Sequence, residues 1–252
     1  MPQIQRFPVE PPTMMITPAA ANALCPGVDG AERIDRHGVL TVERFLPKAL
    51  CQQLVELAKH QPSEEGRVLA DGADTGRNVY RTSAVRVTST IKTFAIGDHT
   101  VPLVARAMFD CVEPHYATRI AWFEFPDILR YDAGGHYGAH NDSEVWDESA
   151  AEWRLAEDRQ YSLLIYLNDD FSGGALRFDE LDLTIQPRPG MLVAFPSDHR
   201  FVHTALAVES GTRYAVVSWG AAVGAPRVHQ GATLGVVYTA QAHLPPRLNQ
   251  LL

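Results

Sequence analysis

The chain has 252 residues, of which 46% are hydrophobic, 21% charged and 9% aromatic. This composition is typical of a globular protein and excludes collagen-like, coiled-coil and wholly disordered classes. The 30 acidic residues outnumber the 22 Lys and Arg, giving a net charge of −8. That balance argues against nucleic acid as a partner, because a duplex-binding surface normally carries a basic excess.

Cysteine content and hydropathy indicate the compartment. Cys25, Cys51 and Cys111 form neither a CxxC pair nor an even-numbered disulfide framework, which is the pattern of a reducing compartment. No apolar run reaches the length of about 18 residues that a membrane span needs, and the N-terminus lacks the apolar stretch of a signal peptide. We therefore expect a cytoplasmic protein without membrane contact. The sequence does not indicate an oligomeric state.

The first half of the chain predicts supporting structure. Residues 1–30 hold six prolines and predict an extended arm, either disordered or lying on the body, and residues 31–117 predict a strand and helix support region of the same domain. In chain order the support region predicts a strand over GVLTVERFL (38–46), a helix opening at Pro47 with Leu50, Leu54, Leu57 and Ala58 on one face, a long loop over 61–80, a strand over RTSAVRVTS (81–89) and a second helix over VPLVARAMFDCV (101–112).

From residue 118 the pattern changes to short strands separated by Gly and Pro turns. Between DILRYD and RYAVVSWG we count eight of them, at the spacing of a sandwich or jelly roll. The predicted fold class is mainly β with flanking helices, with a double-stranded β-helix (jelly roll, cupin-like) core over 118–222. Residues 223–252 predict a peripheral C-terminal tail.

Three residues in the strand region are candidate metal ligands. His140 and Asp142 flank one residue in HYGAHND, so in an extended strand they lie about 7 Å apart on one face, and His203 opens a later strand. Two imidazoles and one carboxylate are the ligand set of non-haem iron(II) oxygenases, which leave three coordination positions open. The alternative pair His136 and His140 has the spacing of a helical zinc site, but the glycines around it argue against a helix. His199 is interpreted as a surface histidine.

Arg213 strengthens the metal hypothesis. It opens the last strand, ten residues after His203, and in an antiparallel barrel it would project into the same cavity. An arginine among Leu, Val and Phe side chains is costly unless it binds an anion, and a carboxylate fits its two-pronged geometry. The alternative is a surface arginine at a strand start.

These residues lie in stretches that resemble the 2-oxoglutarate- and iron(II)-dependent dioxygenases, in their prolyl 4-hydroxylase-like branch. The matching stretches are RYDAGGHYGAHND, YSLLIYLND, GGALRF, PRPG, HRFVH and GTRYAVVSW, in the family's order from about residue 120 to 220. GVLTVERFLPKALCQQLVELA resembles the family's N-terminal strand and helix, and RTSAVRV its substrate-loop region.

The resemblance implies a role for individual positions. His140, Asp142 and His203 would bind Fe(2+), and Arg213 the distal carboxylate of 2-oxoglutarate. Further implied cosubstrate contacts are Tyr131, Tyr166, Ser162 and Leu176, and implied substrate-side residues are Tyr137, Trp219 and Arg81. Tyr131 and Tyr137 are also candidates for orienting the metal ligands. For the secondary positions, simple core packing is the alternative interpretation.

The implied activity is hydroxylation of a prolyl or other amino-acid residue in a peptide or protein, coupled to decarboxylation of 2-oxoglutarate to succinate. Fe(2+), 2-oxoglutarate and O2 are the implied cofactors and cosubstrates, with ascorbate as a further candidate. The nearest alternative keeps this chemistry on a free amino acid or small metabolite. A nucleic-acid demethylase is disfavoured by the charge, a non-catalytic jelly-roll module by the retained ligands, and a zinc hydrolase by Arg213.

Two features depart from the collagen-type members of this family. Those enzymes carry Lys at the position of Arg213, as the resemblance implies. Residues 143–160, SEVWDESAAEWRLAEDRQ, are about ten residues longer than that resemblance leads us to expect, and they contain six acidic residues and two tryptophans. They predict either a solvated amphipathic helix or a lid over the site for a basic or polar substrate.

Overall fold

Two mainly antiparallel sheets face each other across the interior of the protein. The structure is a computed structural model that describes residues 14–24, 31–69, 80–229 and 235–239. The large sheet has eleven strands and the small sheet five, and three two-stranded ribbons extend from them.

The strand bounds in the first part of the chain are β1 (Met14–Ile16), β2 (Arg33–Arg36), β3 (Val39–Val42), β4 (Ser63–Glu65), β5 (Val68–Leu69), β6 (Tyr80–Arg81), β7 (Arg86–Val87), β8 (Ser89–Lys92), β9 (Ile120–Glu124), β10 (Asp127–Tyr131) and β11 (His136–His140). Those in the second part are β12 (Glu144–Asp147), β13 (Glu152–Leu155), β14 (Tyr161–Tyr166), β15 (Phe171–Gly173), β16 (Leu176–Phe178), β17 (Leu183–Ile185), β18 (Leu192–Pro196), β19 (His203–Ala205), β20 (Val208–Gly211), β21 (Arg213–Ala222) and β22 (Val236–Thr239). The helices are α1 (Pro18–Leu24), α2 (Lys48–Lys59), α3 (Gly97–Ala107) and α4 (Glu113–His115). Among the described residues, no helix has the length and apolar character to cross a membrane.

Eight of these strands form the double-stranded β-helix. In the large sheet the order is β10-β21-β14-β18, and in the small sheet it is β17-β16-β19-β11, with every pair antiparallel. They are the eight strands predicted from DILRYD onward, so the fold class is confirmed. Phe178 and Phe195, one from each sheet, pack edge to face between the sheets, with ring centroids 5.0 Å apart.

Helices α2 and α3 support the outer face of the large sheet. In α2 the side chains of Cys51, Leu54 and Ala58 recur at helical spacing and are buried, and the helix begins directly after Pro47, as predicted. Helix α3 begins four residues before the predicted start, contains Pro102, and runs into a π-helical turn over Met108–Val112. It packs against both α1 and the sheet, which explains why nearly all of its residues are buried.

Between α2 and α3 the structure differs from the sequence prediction. The predicted loop 61–80 contains the short strands β4 and β5, and residues 70–79 lie outside the described part. The predicted single strand 81–89 is broken by a turn, in which the Arg86 amide donates to the Ser83 carbonyl and the Val85 amide to the Ser83 hydroxyl. Serine satisfies backbone donors in this way and so ends a strand that alternation alone would continue.

The helix prediction for residues 143–160 is wrong. The segment forms a β-hairpin of β12 and β13, in which Trp146 pairs with Trp153. Valine and tryptophan favour strands, and Asp147 caps the turn by accepting bonds from the amides of Ser149 and Ala150. The alternative expectation, a lid over the site, stays a prediction.

Both ends of the described chain lie in the large sheet. Strand β1, from the predicted Pro-rich arm, pairs in parallel with β22, and β22 pairs with β9. Residues Val236–Thr239 are buried, so this part of the predicted peripheral tail belongs to the core. The division of the chain at residues 30, 117 and 222 stays a prediction, and residues 1–13 lie outside the described range.

Candidate metal centre and cosubstrate cavity

A cavity of about 620 Å³ opens between the two sheets at the ends of β11 and β19. The predicted residues that line it are the metal candidates His140, Asp142 and His203, the charged Arg213, and Tyr131, Tyr137, Ser162, Tyr166, Leu176 and Trp219. The structure therefore brings together every predicted site residue except Arg81. Arg81 lies in β6, and its side chain is outside the described part of the structure.

The two histidines are cross-strand neighbours. His140 at the end of β11 pairs with His203 at the start of β19, and their ring centroids are 4.2 Å apart. The Nδ1 atom of His140 lies 2.8 Å from the Gly138 carbonyl oxygen, and that of His203 lies 3.0 Å from the Phe201 carbonyl oxygen. Each Nδ1 therefore carries the proton and donates it to the backbone, which leaves each Nε2 lone pair for a metal.

Asp142 lies two residues beyond β11, not within it as the sequence prediction placed it. Its backbone amide donates to the Ser197 carbonyl, and its Oδ2 accepts a 2.6 Å hydrogen bond from the Ser162 hydroxyl. Its Oδ1 is 3.6 Å from Nε2 of His140. One carboxylate oxygen is thus held by Ser162, and the other faces the His140 imidazole.

The protonation states suit a cation. Burial, followed by the neighbouring His203, lowers the pKa of His140 to about 3, so the imidazole is neutral and can donate its lone pair. Burial raises the pKa of Asp142, but His203 and His140 lower it further than burial raises it, and the carboxyl is ionised. One carboxylate and two imidazoles form the ligand set expected for a divalent iron.

The three ligand atoms of this cluster all lie within 4.8 Å of one another. That spacing fits one metal ion bound by all three side chains. Each histidine keeps its Nδ1 on a backbone carbonyl, so its Nε2 can face the metal. The Tyr137 ring stacks on the His140 ring, with centroids 3.5 Å apart and an interplanar angle of 15°. This stacking fixes the plane of the imidazole.

Arg213 forms the inner end of the cavity. It opens β21, faces Tyr131 across the strand pair, and is only 2% exposed. Its guanidinium lies 4.0 Å from the Tyr131 ring centroid, and one of its nitrogens donates to the Gly174 carbonyl. Strand β20 lies between His203 and Arg213, so the two residues do not open consecutive strands as predicted.

Two polar atoms at this inner end have no hydrogen-bond partner among the described residues: the Nε of Arg213 and the hydroxyl of Tyr166. Burial raises the pKa of Tyr166 to about 12, so its hydroxyl is protonated and can donate. Unsatisfied buried donors are costly, because each has lost its water without a replacement. A carboxylate would satisfy both, which fits the distal end of 2-oxoglutarate.

Sequence reasoning missed three arginines of the cavity, Arg67, Arg86 and Arg159. Arg159 pairs with Glu124, donates to the Asp142 carbonyl, and lies 4.1 Å from the Trp219 ring centroid. In the sequence it ends an acidic segment and has no local signal of burial. Arg86 lies 4.7 Å from the Tyr137 ring centroid, on the strand predicted as the substrate-loop region.

Comparisons with known proteins agree with this geometry. Residues 126–220 match the model of the family described as "2OG-Fe(II) oxygenase superfamily". Human prolyl 3-hydroxylase 2 is 38% identical over 82 residues, which are 31% of this chain and 11% of that protein. The match therefore spans about a tenth of the relative's length.

Solved structures show the same fold. A prolyl hydroxylase from Trichoplax adhaerens, in complex with a hypoxia-inducible-factor peptide fragment, aligns with a TM-score of 0.53 and 21% identity over 73% of this chain and 83% of that one. A viral collagen prolyl hydroxylase from Paramecium bursaria Chlorella virus-1, in complex with 2-oxoglutarate, aligns with a TM-score of 0.51 and 18% identity over 73% of this chain and 96% of that one.

Residues 126–220 therefore match the 2-oxoglutarate- and Fe(II)-dependent oxygenase family, and the chain has the fold of the prolyl hydroxylases. The resemblance read from the sequence is confirmed. The roles of the individual site residues stay predictions.

Proposed function

We propose that this protein is an Fe(II)- and 2-oxoglutarate-dependent dioxygenase that hydroxylates a prolyl or other amino-acid residue of a peptide or protein. The observation that carries the proposal is the combination, in one cavity, of the His140, Asp142 and His203 cluster with the unsatisfied buried donors of Arg213 and Tyr166. A metal site alone would not need a buried cation at its inner end, and an anion site alone would not need two oriented imidazoles.

The proposed substrate class is supported by the kind of protein that the chain resembles. The curated relatives are named prolyl 3-hydroxylases, and both structural neighbours are prolyl hydroxylases, one of them with a peptide. Because the match spans about a tenth of a relative's length, the peptide substrate is a proposal for this chain. The same chemistry on a free amino acid is the alternative.

The residues divide the work as follows. His140, Asp142 and His203 would hold Fe(II), which supplies dioxygen activation and hydrogen abstraction when bound. Arg213 and Tyr166 bind and orient the distal carboxylate of 2-oxoglutarate. Ser162 keeps the Asp142 carboxylate turned toward the imidazoles, and the apolar wall, including Leu176, excludes water from the reacting atoms.

The proposal is tested by measuring succinate formation and oxygen consumption with added iron(II) and 2-oxoglutarate. We expect the wild-type protein to form succinate and His140→Ala to form none while keeping its far-ultraviolet spectrum. His60→Ala is the matched control, since His60 is an exposed residue at the end of α2. Equal succinate formation in the His140 variant, or none in the wild type under any iron concentration, would exclude the proposed activity.

Three further properties are proposals of the same kind. Cytoplasmic localisation is supported by Cys51 and Cys111, which are free and buried. A stimulation of turnover by ascorbate follows from the proposed iron chemistry and is tested in the same assay. The acidic net charge supports a protein or peptide partner over nucleic acid.

A further inference from the structure

The charged side chains of the cavity differ in whether another side chain neutralises them. Glu144 accepts bonds from the backbone and ring of His199, Glu157 lies 3.5 Å from His229, and Arg159 pairs with Glu124. Arg67 and Arg86 also line the cavity, but neither has an ion-pair partner among the residues that the structure describes. Their positive charge is available to an incoming ligand.

Arg86 is held in a fixed position beside the metal ligands. One of its terminal nitrogens, Nη1, donates a 2.8 Å hydrogen bond to the Arg67 carbonyl. Its guanidinium lies 4.7 Å from the Tyr137 ring centroid, and the same ring stacks on His140. Gly66 packs directly on the side chain, since a Cβ there would lie 2.8 Å from Arg86 Nε. A cation fixed in this way loses little conformational entropy when it binds an anion.

The position of this cation relates it to the reacting carbon. Because both groups lie close to the Tyr137 ring, the Arg86 guanidinium is at most about 8 Å from the His140 imidazole. An extended peptide advances about 3.5 Å per residue. A group bound at Arg86 is therefore one or two residues away from a substrate carbon held at the metal.

We propose that Arg86, with Arg67 beside it, binds a carboxylate of the substrate one or two residues from the hydroxylated carbon. The proposal rests on the proposed hydroxylase function and names its substrate class: acidic substrates rather than neutral or basic ones. The carboxylate has two sources, namely the side chain of an Asp or Glu residue in a peptide and the α-carboxylate of a chain end or free amino acid.

The two sources are distinguished with a panel of ligands. One set is an eight-residue peptide of Ala and Gly with a central proline and blocked ends, carrying Glu, Gln or Lys one or two residues from the proline. The other set is N-acetyl-proline with a free carboxylate, its amide, and free proline. Affinities are measured by calorimetry on the protein loaded anaerobically with iron(II) and 2-oxoglutarate.

We expect the carboxylate-bearing member of at least one set to bind about ten times more tightly than its neutral counterpart, the range for a charge-assisted hydrogen bond. In Arg86→Gln this preference disappears, while the affinity for 2-oxoglutarate is unchanged. Arg177→Gln is the matched control, because Arg177 is an exposed arginine outside the cavity, paired with Asp179. The set that shows the preference identifies the source of the carboxylate.

Equal affinity for acidic and neutral members in both sets, tighter binding of the Lys peptide, or a preference that persists in Arg86→Gln would overturn the proposal. So would an absence of binding throughout the panel. Substrate-independent conversion of 2-oxoglutarate to succinate is measured alongside. If succinate forms, a negative result in the panel removes only the role of Arg86. If no succinate forms, the proposed hydroxylase function fails as well.

Discussion

At the scale of single residues, the cavity holds a buried cation, Arg213, and a buried anion, Asp142, in different parts of it. Arg213 lies at the inner end against Tyr131, whereas Asp142 lies at the metal cluster between two histidines. A buried guanidinium without a carboxylate partner is expensive to maintain. This energetic cost is explained if the cosubstrate supplies the carboxylate that pairs with Arg213.

Arg213→Ala tests this explanation. We expect the affinity for 2-oxoglutarate to fall by about tenfold to a hundredfold, the effect of one or two charge-assisted hydrogen bonds, with metal affinity unchanged. Calorimetric titration of the metal-loaded protein with 2-oxoglutarate measures the affinity for 2-oxoglutarate. Titration of the apo-protein with cobalt(II) measures the metal affinity. An unaltered 2-oxoglutarate affinity would remove Arg213 from the cosubstrate site.

Ser162→Ala tests the orientation of Asp142. Without the Ser162 hydroxyl, Oδ2 of Asp142 loses its 2.6 Å donor and the carboxylate can rotate. Loss of such an outer partner weakens metal binding by about tenfold or more. Cobalt(II) titration measures the change, with Ser172→Ala as the control because the Ser172 hydroxyl bonds to Ser210 on an exposed ribbon. Equal cobalt affinities in the two variants would contradict the role.

At the scale of elements, the β12–β13 hairpin contacts the body of the protein through His199. Trp153 stacks on His199 with ring centroids 5.0 Å apart and an interplanar angle of 2°, and Glu144 accepts a 2.6 Å bond from the His199 ring. An isolated two-stranded hairpin is marginally stable in water. We therefore expect these contacts to contribute to holding the hairpin beside the cavity.

His199→Ala is expected to release the hairpin without unfolding the protein. Hydrogen exchange of residues 144–155 should become at least about tenfold faster, because local opening then costs less than global unfolding. Glu148→Gln, at the turn of the hairpin, is the control. Unchanged exchange in the His199 variant would show that the hairpin has other anchors.

A second element, the turn before β18, depends on Gly190. Its φ is +78°, and a Cβ there would lie 2.1 Å from the Leu46 carbonyl oxygen, whereas Gly134 has a φ of +83° and open space around it. We expect Gly134→Ala to lower the free energy of unfolding by about 1 kcal/mol, the conformational cost alone. Gly190→Ala adds a backbone clash and should cost about 3 kcal/mol or more.

Denaturant unfolding of the two glycine variants measures these values. The comparison isolates the clash, because the φ angles are nearly the same. If both variants lose the same free energy, the close approach of Leu46 contributes nothing.

At the scale of the whole molecule, the large sheet is completed by both ends of the described chain. Strand β22 fills the position between β9 and β1, and Val236 and Val237 are fully buried there. Without β22, the edge of β9 and its apolar face would be open to water.

Val237→Asp should therefore destabilise the whole domain. A carboxylate forced into this site costs about 3 kcal/mol or more, because it is buried without a partner. The melting temperature measures the loss, and Val228→Asp is the control because Val228 is 43% exposed. Equal melting temperatures would place β22 outside the cooperative unit.

Local sequence patterns were sufficient to predict much of the fold and of the candidate site. Runs of alternating or β-rich residues between Gly and Pro turns predicted all eight strands of the double-stranded β-helix. The residue types in HYGAHND, His203 and Arg213 predicted the cluster, since few chemistries need that set. Helix α2 followed from the spacing of Leu54 and Ala58.

The tertiary structure alone decided the rest, because those features depend on contacts between residues far apart in sequence. The hairpin that replaces the predicted helix is anchored by His199, more than 40 residues after Trp153. Strand β22 belongs to the core because β9 lies beside it, more than 100 residues earlier. Arg159 is neutralised by Glu124, whereas Arg86 has no ion-pair partner within the described ranges of the chain. Both facts follow from the fold, since the sequence fixes the charge of an arginine but not its neighbours.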